Sequence, residues 1–113
     1  MYAAIRKYSI KPGFMEEVMR RIQGDFVFLI SKEPGFLDYY ALRVGPNEVL
    51  TFSVFDTQAE AEGSTPLAFE WVQKNLERFV QGVPEATVGQ VFADACAPAA
   101  RDDLEEVLLD KFP

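Results

Sequence analysis

The stretch from residue 33 to residue 55, EPGFLDYYALRVGPNEVLTFSVF, predicts a β-hairpin. Its first residues, Glu33-Pro34-Gly35, are typical of a turn, and Phe36 to Val44 is rich in the Tyr, Leu and Val that favour strands. Gly45-Pro46-Asn47 then turns the chain back into Val49 to Phe55, an apolar and β-branched run. We therefore expect two antiparallel strands joined by a short loop.

A strand and a helix are predicted before this hairpin. Tyr2 to Ile10 is apolar or β-tolerant on both faces, and Lys11-Pro12-Gly13 ends it. From Phe14 to about Ser31 the apolar residues recur at three- and four-residue steps, which predicts a long helix. Gly24 lies within this helix, where it either allows close packing or marks a bend.

Two helices and a strand are predicted after the hairpin. Thr57 and Glu60 fit a capping box that begins a short helix. Gly63-Ser64-Thr65-Pro66 then interrupts the helical pattern and offers a second N-cap, so we expect the short helix to end near residue 63 and a longer one to span residues 66–80. Ala86 to Ala93 alternates in polarity and predicts the fourth strand.

The resulting order is the βαββαβ plan of a ferredoxin-like α+β domain, in which the helices cover one face of a single sheet. Both faces of the first and third strands carry Ile, Leu, Val, Phe or Tyr, so the second face of the sheet would stay apolar and exposed in a lone chain. A second copy related by two-fold symmetry is the simplest cover. The sequence therefore predicts a homodimer whose sheets pack face to face.

The composition divides the chain into a domain, residues 1–93, and a tail, residues 94–113. The tail begins with a linker of small residues and continues as a predicted amphipathic helix with Leu104, Val107 and Leu108 on one side. Two interpretations stay open for this helix. It packs on its own domain or on the dimer partner, or it closes a ligand pocket.

Charge and composition argue against several classes of function. The 113 residues carry a net charge of −7, include no histidine and contain one cysteine, Cys96. We therefore expect no nucleic-acid partner, no intramolecular disulfide and no zinc, copper or iron-sulfur site, and we expect a reducing, cytoplasmic location. No run approaches the ~20 apolar residues of a membrane span, and Arg6 and Lys7 interrupt the opening apolar stretch, so we expect neither a membrane partner nor a signal peptide.

Three short sequence motifs resemble those of a known family. They are Ile10-Lys11-Pro12-Gly13 before a helix, Glu33-Pro34-Gly35-Phe36 before the second strand, and Ser53-Val54-Phe55-Asp56-Thr57 followed by Ala59 and Glu60. On the basis of these motifs, residues 2–93 resemble the antibiotic biosynthesis monooxygenase (ABM) superfamily. The resemblance implies a dimeric α/β barrel in which each subunit has a pocket between its sheet and its helices. The motifs shape turns and caps, so they support the fold more than any activity.

The resemblance also implies a range of activities. The superfamily contains cofactor-independent oxygenases that convert aromatic polyketide phenols to quinones, quinol oxygenases, haem-degrading enzymes and members without an assigned activity. Where the haem-degrading enzymes use Asn, Trp and an iron-ligating His, ungapped matching places Arg6, Ser64 and Lys74. Because the chain has no histidine, haem ligation through imidazole is impossible, although a Tyr or Cys ligand is conceivable. We therefore set haem degradation aside and expect neither a cofactor nor a metal.

A cofactor-free oxygenase needs a dry aromatic pocket, a group that takes or stabilises a phenolic proton, and a donor or cation for the developing anion. Arg6 and Tyr8 share one face of the first strand, and Trp71 and Asn75 share one face of a helix. Tyr40 is a further candidate. Each also has a purely structural interpretation, as an interface cation, a half-buried sheet tyrosine, a core tryptophan or a solvated amide.

Asp38 is the acid that the sequence singles out, because it lies in an apolar strand beside two tyrosines. If its side chain faces the pocket, burial would raise its pKa and make it a candidate base. The alternative is a solvent-facing or salt-bridged carboxylate.

Two hypotheses for the function follow. The first is a cofactor-independent monooxygenase that acts on a small aromatic phenol or quinol, and the resemblance and the 13% of aromatic residues motivate it. The second is a non-enzymatic ABM-like dimer that binds a small apolar ligand or serves as an accessory subunit. The lack of a specific polar signature motivates this alternative, so the sequence does not decide whether the protein is an enzyme.

Overall fold

The computed structural model describes residues 1–95 and 97 of the chain, which fold around one four-stranded sheet. The elements are β1 (Tyr2–Ile10), α1 (Met15–Arg21), a π-helical segment (Ile22–Phe26), α2 (Val27–Ser31), β2 (Phe36–Val44), β3 (Glu48–Phe55), α3 (Gln58–Asn75) and β4 (Val80–Gln90). The strands pair antiparallel in the order β2-β3-β1-β4. This arrangement confirms the predicted ferredoxin-like α+β fold.

The predicted hairpin and the predicted first strand are both present. Strands β1 and β2 have the expected limits, and β3 begins one residue before Val49. The first helix also covers the expected region, but its middle turn, residues 22–26, is π-helical. Gly24 lies in that turn, and a Cβ atom there would meet nothing within 4 Å, so this glycine does not serve close packing. It accompanies a local irregularity of the kind that often lies beside functional sites.

The predicted break between two helices at residues 63–66 is wrong, because α3 runs through it without interruption. Pro66 lies inside the helix and lacks the N–H that would continue the hydrogen-bond ladder. One local and one tertiary hydrogen bond form beside it. Ser64 is 2% exposed, donates to the carbonyl of Ala61 at 2.6 Å and accepts a hydrogen bond from Arg6. A buried polar contact therefore outweighs a local stop signal.

The limits predicted for the last helix and the last strand are also wrong. Helix α3 ends at Asn75 rather than near residue 80, and β4 begins at Val80 rather than at Ala86. The pairing of β4 with β1 shifts register between Lys7 and Ser9, and Gly82 has a φ of 75° in this bulge. The bulge breaks the alternation of side chains, so the early part of the strand has no strand-like pattern.

The two faces of the sheet differ. On β1, Ala4, Arg6, Tyr8 and Ile10 are buried and face the helices. On the opposite face the register aligns Tyr40, Phe52 and Ile5 across three strands. Within the described residues no helix covers this second face, and Tyr40 is 57% exposed.

The tail is largely outside the described part of the chain. The predicted amphipathic helix and Cys96 both fall outside residues 1–95 and 97. A membrane-crossing helix would need greater length and apolarity than any helix found within the described ranges.

The predicted capping box is confirmed and gives a test of the fold. Thr57 Oγ1 accepts from the N–H of Glu60 at 3.2 Å, and the Glu60 carboxylate accepts from the N–H of Thr57 at 3.1 Å. We expect Thr57→Ala to lower the free energy of unfolding by about 1 kcal/mol in urea denaturation, because α3 loses its N-cap. Gln58→Ala, one residue later, should lower the free energy of unfolding much less. Equal losses in the two variants would contradict the assigned cap.

Candidate functional site

A cavity of about 20 Å³ lies between the inner face of the sheet and the helices. Its polar lining comes from Arg6, Tyr8, Tyr39 and Thr51. The apolar lining includes Ile22 and Phe26 of the π-helical segment, Trp71 and Val72 of α3, and Ile10 and Val49 of the central strands. The cavity is thus an apolar chamber with its polar groups supplied mainly by the sheet.

Arg6 is the central polar residue of this chamber. It lies on β1 opposite Thr51 of β3, and its side chain is only 1% exposed. Its Nη2 donates to Ser53 Oγ at 2.5 Å, and its Nη1 donates to Ser64 Oγ at 3.1 Å. A longer contact of 3.4 Å joins Nη1 to Thr65 Oγ1. The guanidinium therefore connects the sheet to the middle of α3 through hydroxyl groups alone.

The charge of Arg6 has no counter-charge in the described part of the chain. No carboxylate in residues 1–95 or 97 forms an ion pair with it, and its Nε is buried without a hydrogen-bond partner. Burial lowers the pKa of the guanidinium, although the group remains a cation at neutral pH. A buried charge without a partner is strongly unfavourable. The site therefore favours an anionic ligand.

Tyr8 and Tyr39 add hydroxyl groups to the same chamber. Burial raises the pKa of Tyr8, and the nearby Arg6 cation partly opposes this rise. Burial also raises the pKa of Tyr39 well above its ordinary value, and Arg6 again acts in the opposite direction. Both hydroxyls consequently keep their protons at neutral pH. They are suited to donate hydrogen bonds to an anion and are not suited to act as bases.

Aromatic rings form one wall of the cavity. The ring of Phe26 lies with its centroid 5.4 Å from that of Tyr39 and 5.2 Å from that of Trp71. The three rings come from the π-helical segment, β2 and α3, so three elements meet at this wall. A planar aromatic ligand has matching surfaces to pack against here.

The structure brings together three of the six predicted site residues. Arg6, Tyr8 and Trp71 all line the cavity. Asp38 and Tyr40 are exposed, and neither lines the cavity.

Asn75 is also absent from the cavity lining. Its Nδ2 donates to the carbonyl of Trp71, and it lies in a surface groove beside Lys11 and Arg21. Its side chain therefore supports the end of α3 and does not contribute to the chamber.

Sequence reasoning missed Tyr39 and the hydroxyl groups of Thr51, Ser53 and Ser64. A register shift between Phe36 and Asp38 changes which residues of β2 face inward, and pairing with Ser53 then places Tyr39 on the inner face. The strict alternation of β3 was a usable signal, because it puts Val49, Thr51 and Ser53 on one buried face.

The unpaired charge predicts an effect on stability. We expect Arg6→Met to raise the free energy of unfolding in low-salt buffer by about 1–3 kcal/mol, because an apolar side chain of similar length removes the buried charge. Ser64 keeps its hydrogen bond to Ala61 in this variant, so only Ser53 loses its main partner. Arg20→Met, which removes an exposed cation, serves as the control in the same urea titration. A marked loss of stability in Arg6→Met would contradict this account.

The fold is shared with solved structures of low sequence identity. A protein of unknown function from Nitrosomonas europaea has 22% identity and a TM-score of 0.69, with 88% of this chain and 95% of that chain covered. The ActVA-Orf6 monooxygenase of Streptomyces coelicolor, solved with nanaomycin D, has 17% identity and a TM-score of 0.64, with coverage of 87% and 92%. SnoaB of Streptomyces nogalater, a cofactor-independent oxygenase, has 11% identity and a TM-score of 0.63, with coverage of 82% and 94%.

Comparison of the sequence with family models identifies the family. No curated protein sequence matches the chain at a significant level. The family model described as antibiotic biosynthesis monooxygenase matches residues 1–65, which include β1, the hairpin and the start of α3. The first-strand arginine and both central strands thus lie within the matched region. The chain belongs to the antibiotic biosynthesis monooxygenase family.

Proposed function

We propose that the protein is a cofactor-independent monooxygenase that converts a small phenol or quinol into a quinone. The observation that carries the proposal is the buried Arg6 cation, which faces an aromatic chamber and has no carboxylate partner among the described residues. A phenolate oxygen would supply the missing negative charge. The similarity in fold to oxygenases from two Streptomyces species supports the same reaction class.

The reaction needs no added reductant when the phenol has a free para C–H. One oxygen atom of O₂ bonds to the para carbon, the O–O bond breaks, and the second oxygen atom leaves as water. That water takes the para hydrogen and the phenolic hydrogen, while the ring gives four electrons to oxygen and becomes a quinone. Arg6 would stabilise the phenolate and the later oxyanion, as cations and oriented donors do in other active sites.

The tyrosines define which phenols suit the site. Because burial raises the pKa values of Tyr8 and Tyr39, neither hydroxyl removes the proton of the substrate at neutral pH. We propose that the substrate binds as its anion, with Tyr8 donating a hydrogen bond to it. The enzyme should therefore favour phenols of low pKa, and its rate should rise as the pH approaches the pKa of the substrate.

The ring of a substrate requires more room than the cavity now offers. A surface pocket of about 250 Å³ lies on the outer side of Ile22 and Tyr39, which line both spaces. We propose that an outward movement of these two side chains joins the spaces and admits the ring. The turn that carries Ile22 is π-helical, and such irregular turns are frequent at functional sites.

The small cavity supports a second candidate function. Without movement of the wall, about 20 Å³ is too little for any aromatic ring. The alternative is a non-enzymatic member of the family that binds a small apolar ligand or acts as an accessory subunit. Catalytic turnover separates the two candidates.

Oxygen consumption with 1-naphthol tests the proposed reaction. We expect the full chain to consume one O₂ for each 1,4-naphthoquinone formed, as measured with an oxygen electrode and by chromatography. Arg6→Met should lower kcat/KM by about 100-fold, because the anion loses its charge partner. Tyr8→Phe should cause a smaller loss.

The control for this assay is Arg20→Met, whose exposed side chain is paired with Glu17 away from the cavity. It should retain the wild-type rate. Turnover that is unchanged in Arg6→Met would contradict the proposed role of the arginine. Absence of turnover in the wild-type chain with a panel of phenols and hydroquinones would support the non-enzymatic alternative.

We also propose that the second sheet face forms a homodimer, which works in the reducing cytoplasm. The row of Tyr40, Phe52 and Ile5 is apolar, and Leu42 beside it is 41% exposed. A contiguous apolar face of this kind is typical of an interface. A symmetric copy presents the same face and buries both.

If this face forms the dimer, a charged residue placed on it should weaken the association of the two copies. Phe52→Glu should convert a dimer into a monomer in sedimentation velocity at micromolar concentration, because it buries a carboxylate against its symmetric copy. Gln90→Glu, at the exposed end of β4, is the matched control and should remain dimeric. A wild-type protein that sediments as a monomer would contradict the proposal.

A further inference from the structure

We propose that the cavity beside Arg6 is a binding site for a small monovalent anion, a halide in the resting protein. Three features of the chamber support this site: its charge, its unpaired donors and its size. None of the three depends on a reaction taking place there.

The charge is the first feature. The Arg6 guanidinium is 1% exposed and is surrounded by the hydroxyl groups of Ser53, Ser64 and Thr65 rather than by carboxylates. Neutral hydroxyls stabilise a cation much less than a counter-charge does in a medium of low dielectric constant. A bound anion would therefore remove a large electrostatic penalty from the folded protein.

The unpaired donors are the second feature. Within the described chain, the buried side-chain atoms that lack a hydrogen-bond partner are Arg6 Nε and Thr51 Oγ1. The two residues are register partners on neighbouring strands, and both line the cavity. An N–H and an O–H thus line the same chamber without a well-formed hydrogen bond, and their polar neighbours there are the hydroxyls of Tyr8 and Tyr39. An anion accepts from both, and buried polar groups are rarely left without partners.

The size is the third feature. A volume of about 20 Å³ is enough for one water-sized particle, since a water needs about 10–15 Å³ by the same measure. Chloride is only slightly larger than a water molecule and bromide is the next in size, whereas sulfate, carboxylates and aromatic rings are much larger. The largely apolar walls, which include Val49 and Val72, offer no site for a hydrated polyatomic ion.

The site has a consequence for the proposed function, and this consequence alone rests on that function. A phenolate would bind at the same position as the halide, so chloride should compete with the substrate. Halide binding itself would persist in a protein without any oxygenase activity.

Thermal unfolding of the full chain at constant ionic strength tests the site. Sodium chloride or bromide replaces sodium gluconate, whose anion is too large for the cavity. We expect Tm to rise by about 5 °C for each tenfold increase in halide above saturation, as binding to the folded state requires. Arg6→Met should lose the rise, and Thr51→Val should need several-fold more halide. Arg20→Met should behave as the wild type.

Fluorescence gives a second measurement, because Trp71 lines the cavity and is the single tryptophan of the chain. Bromide bound at Arg6 should add a saturable component to the quenching of Trp71, and chloride should compete with it. A Tm that is independent of halide would mean that water alone fills the cavity and would overturn the proposal. Equal halide effects in the wild type and Arg6→Met would overturn it too. Neither result depends on oxygen consumption with 1-naphthol.

Discussion

The guanidinium of Arg6 forms the polar contact between the sheet and α3 at the centre of the molecule. Its two terminal nitrogens reach Ser53 on β3 and Ser64 on α3, so one side chain from β1 connects three elements. The helix that it contacts passes through Pro66 without a break. Because α3 is continuous, Trp71 lies about two turns beyond Ser64 on the side that faces the chamber. The same continuous helix therefore carries both the polar contact and part of the aromatic wall.

This contact is unusual because it places a charge where folding alone would favour an apolar residue. The hydroxyl partners orient the guanidinium but do not neutralise it. Proteins commonly give up stability at the positions that carry function. Burial also keeps Tyr8 and Tyr39 protonated, so their hydroxyls can donate hydrogen bonds into the cavity. These donors and the Arg6 cation both favour a negatively charged ligand. The electrostatic character of the chamber is thus uniform.

Most of the fold could be predicted from the sequence because its signals are local. Turn residues mark both ends of β2, and Thr57 with Glu60 marks the start of α3. The errors arose where tertiary structure decides, as in the buried Ser64 that keeps α3 intact and the bulge at Gly82 that hides the start of β4. Half of the predicted site residues line the cavity, for the same reason. Arg6 and Tyr8 follow from simple alternation along β1, whereas Tyr39 depends on a register shift that only the paired strand reveals.

The bulge in β4 has a consequence for how molecules of this protein meet. β4 is an edge strand, and Gly82 and Pro84 lie in its irregular stretch, where proline has no N–H to offer. An incoming strand would find no continuous row of hydrogen-bonding groups there, which is a common protection against open-ended strand addition. The repeated addition of strands that leads to fibres is therefore disfavoured at this edge of the sheet.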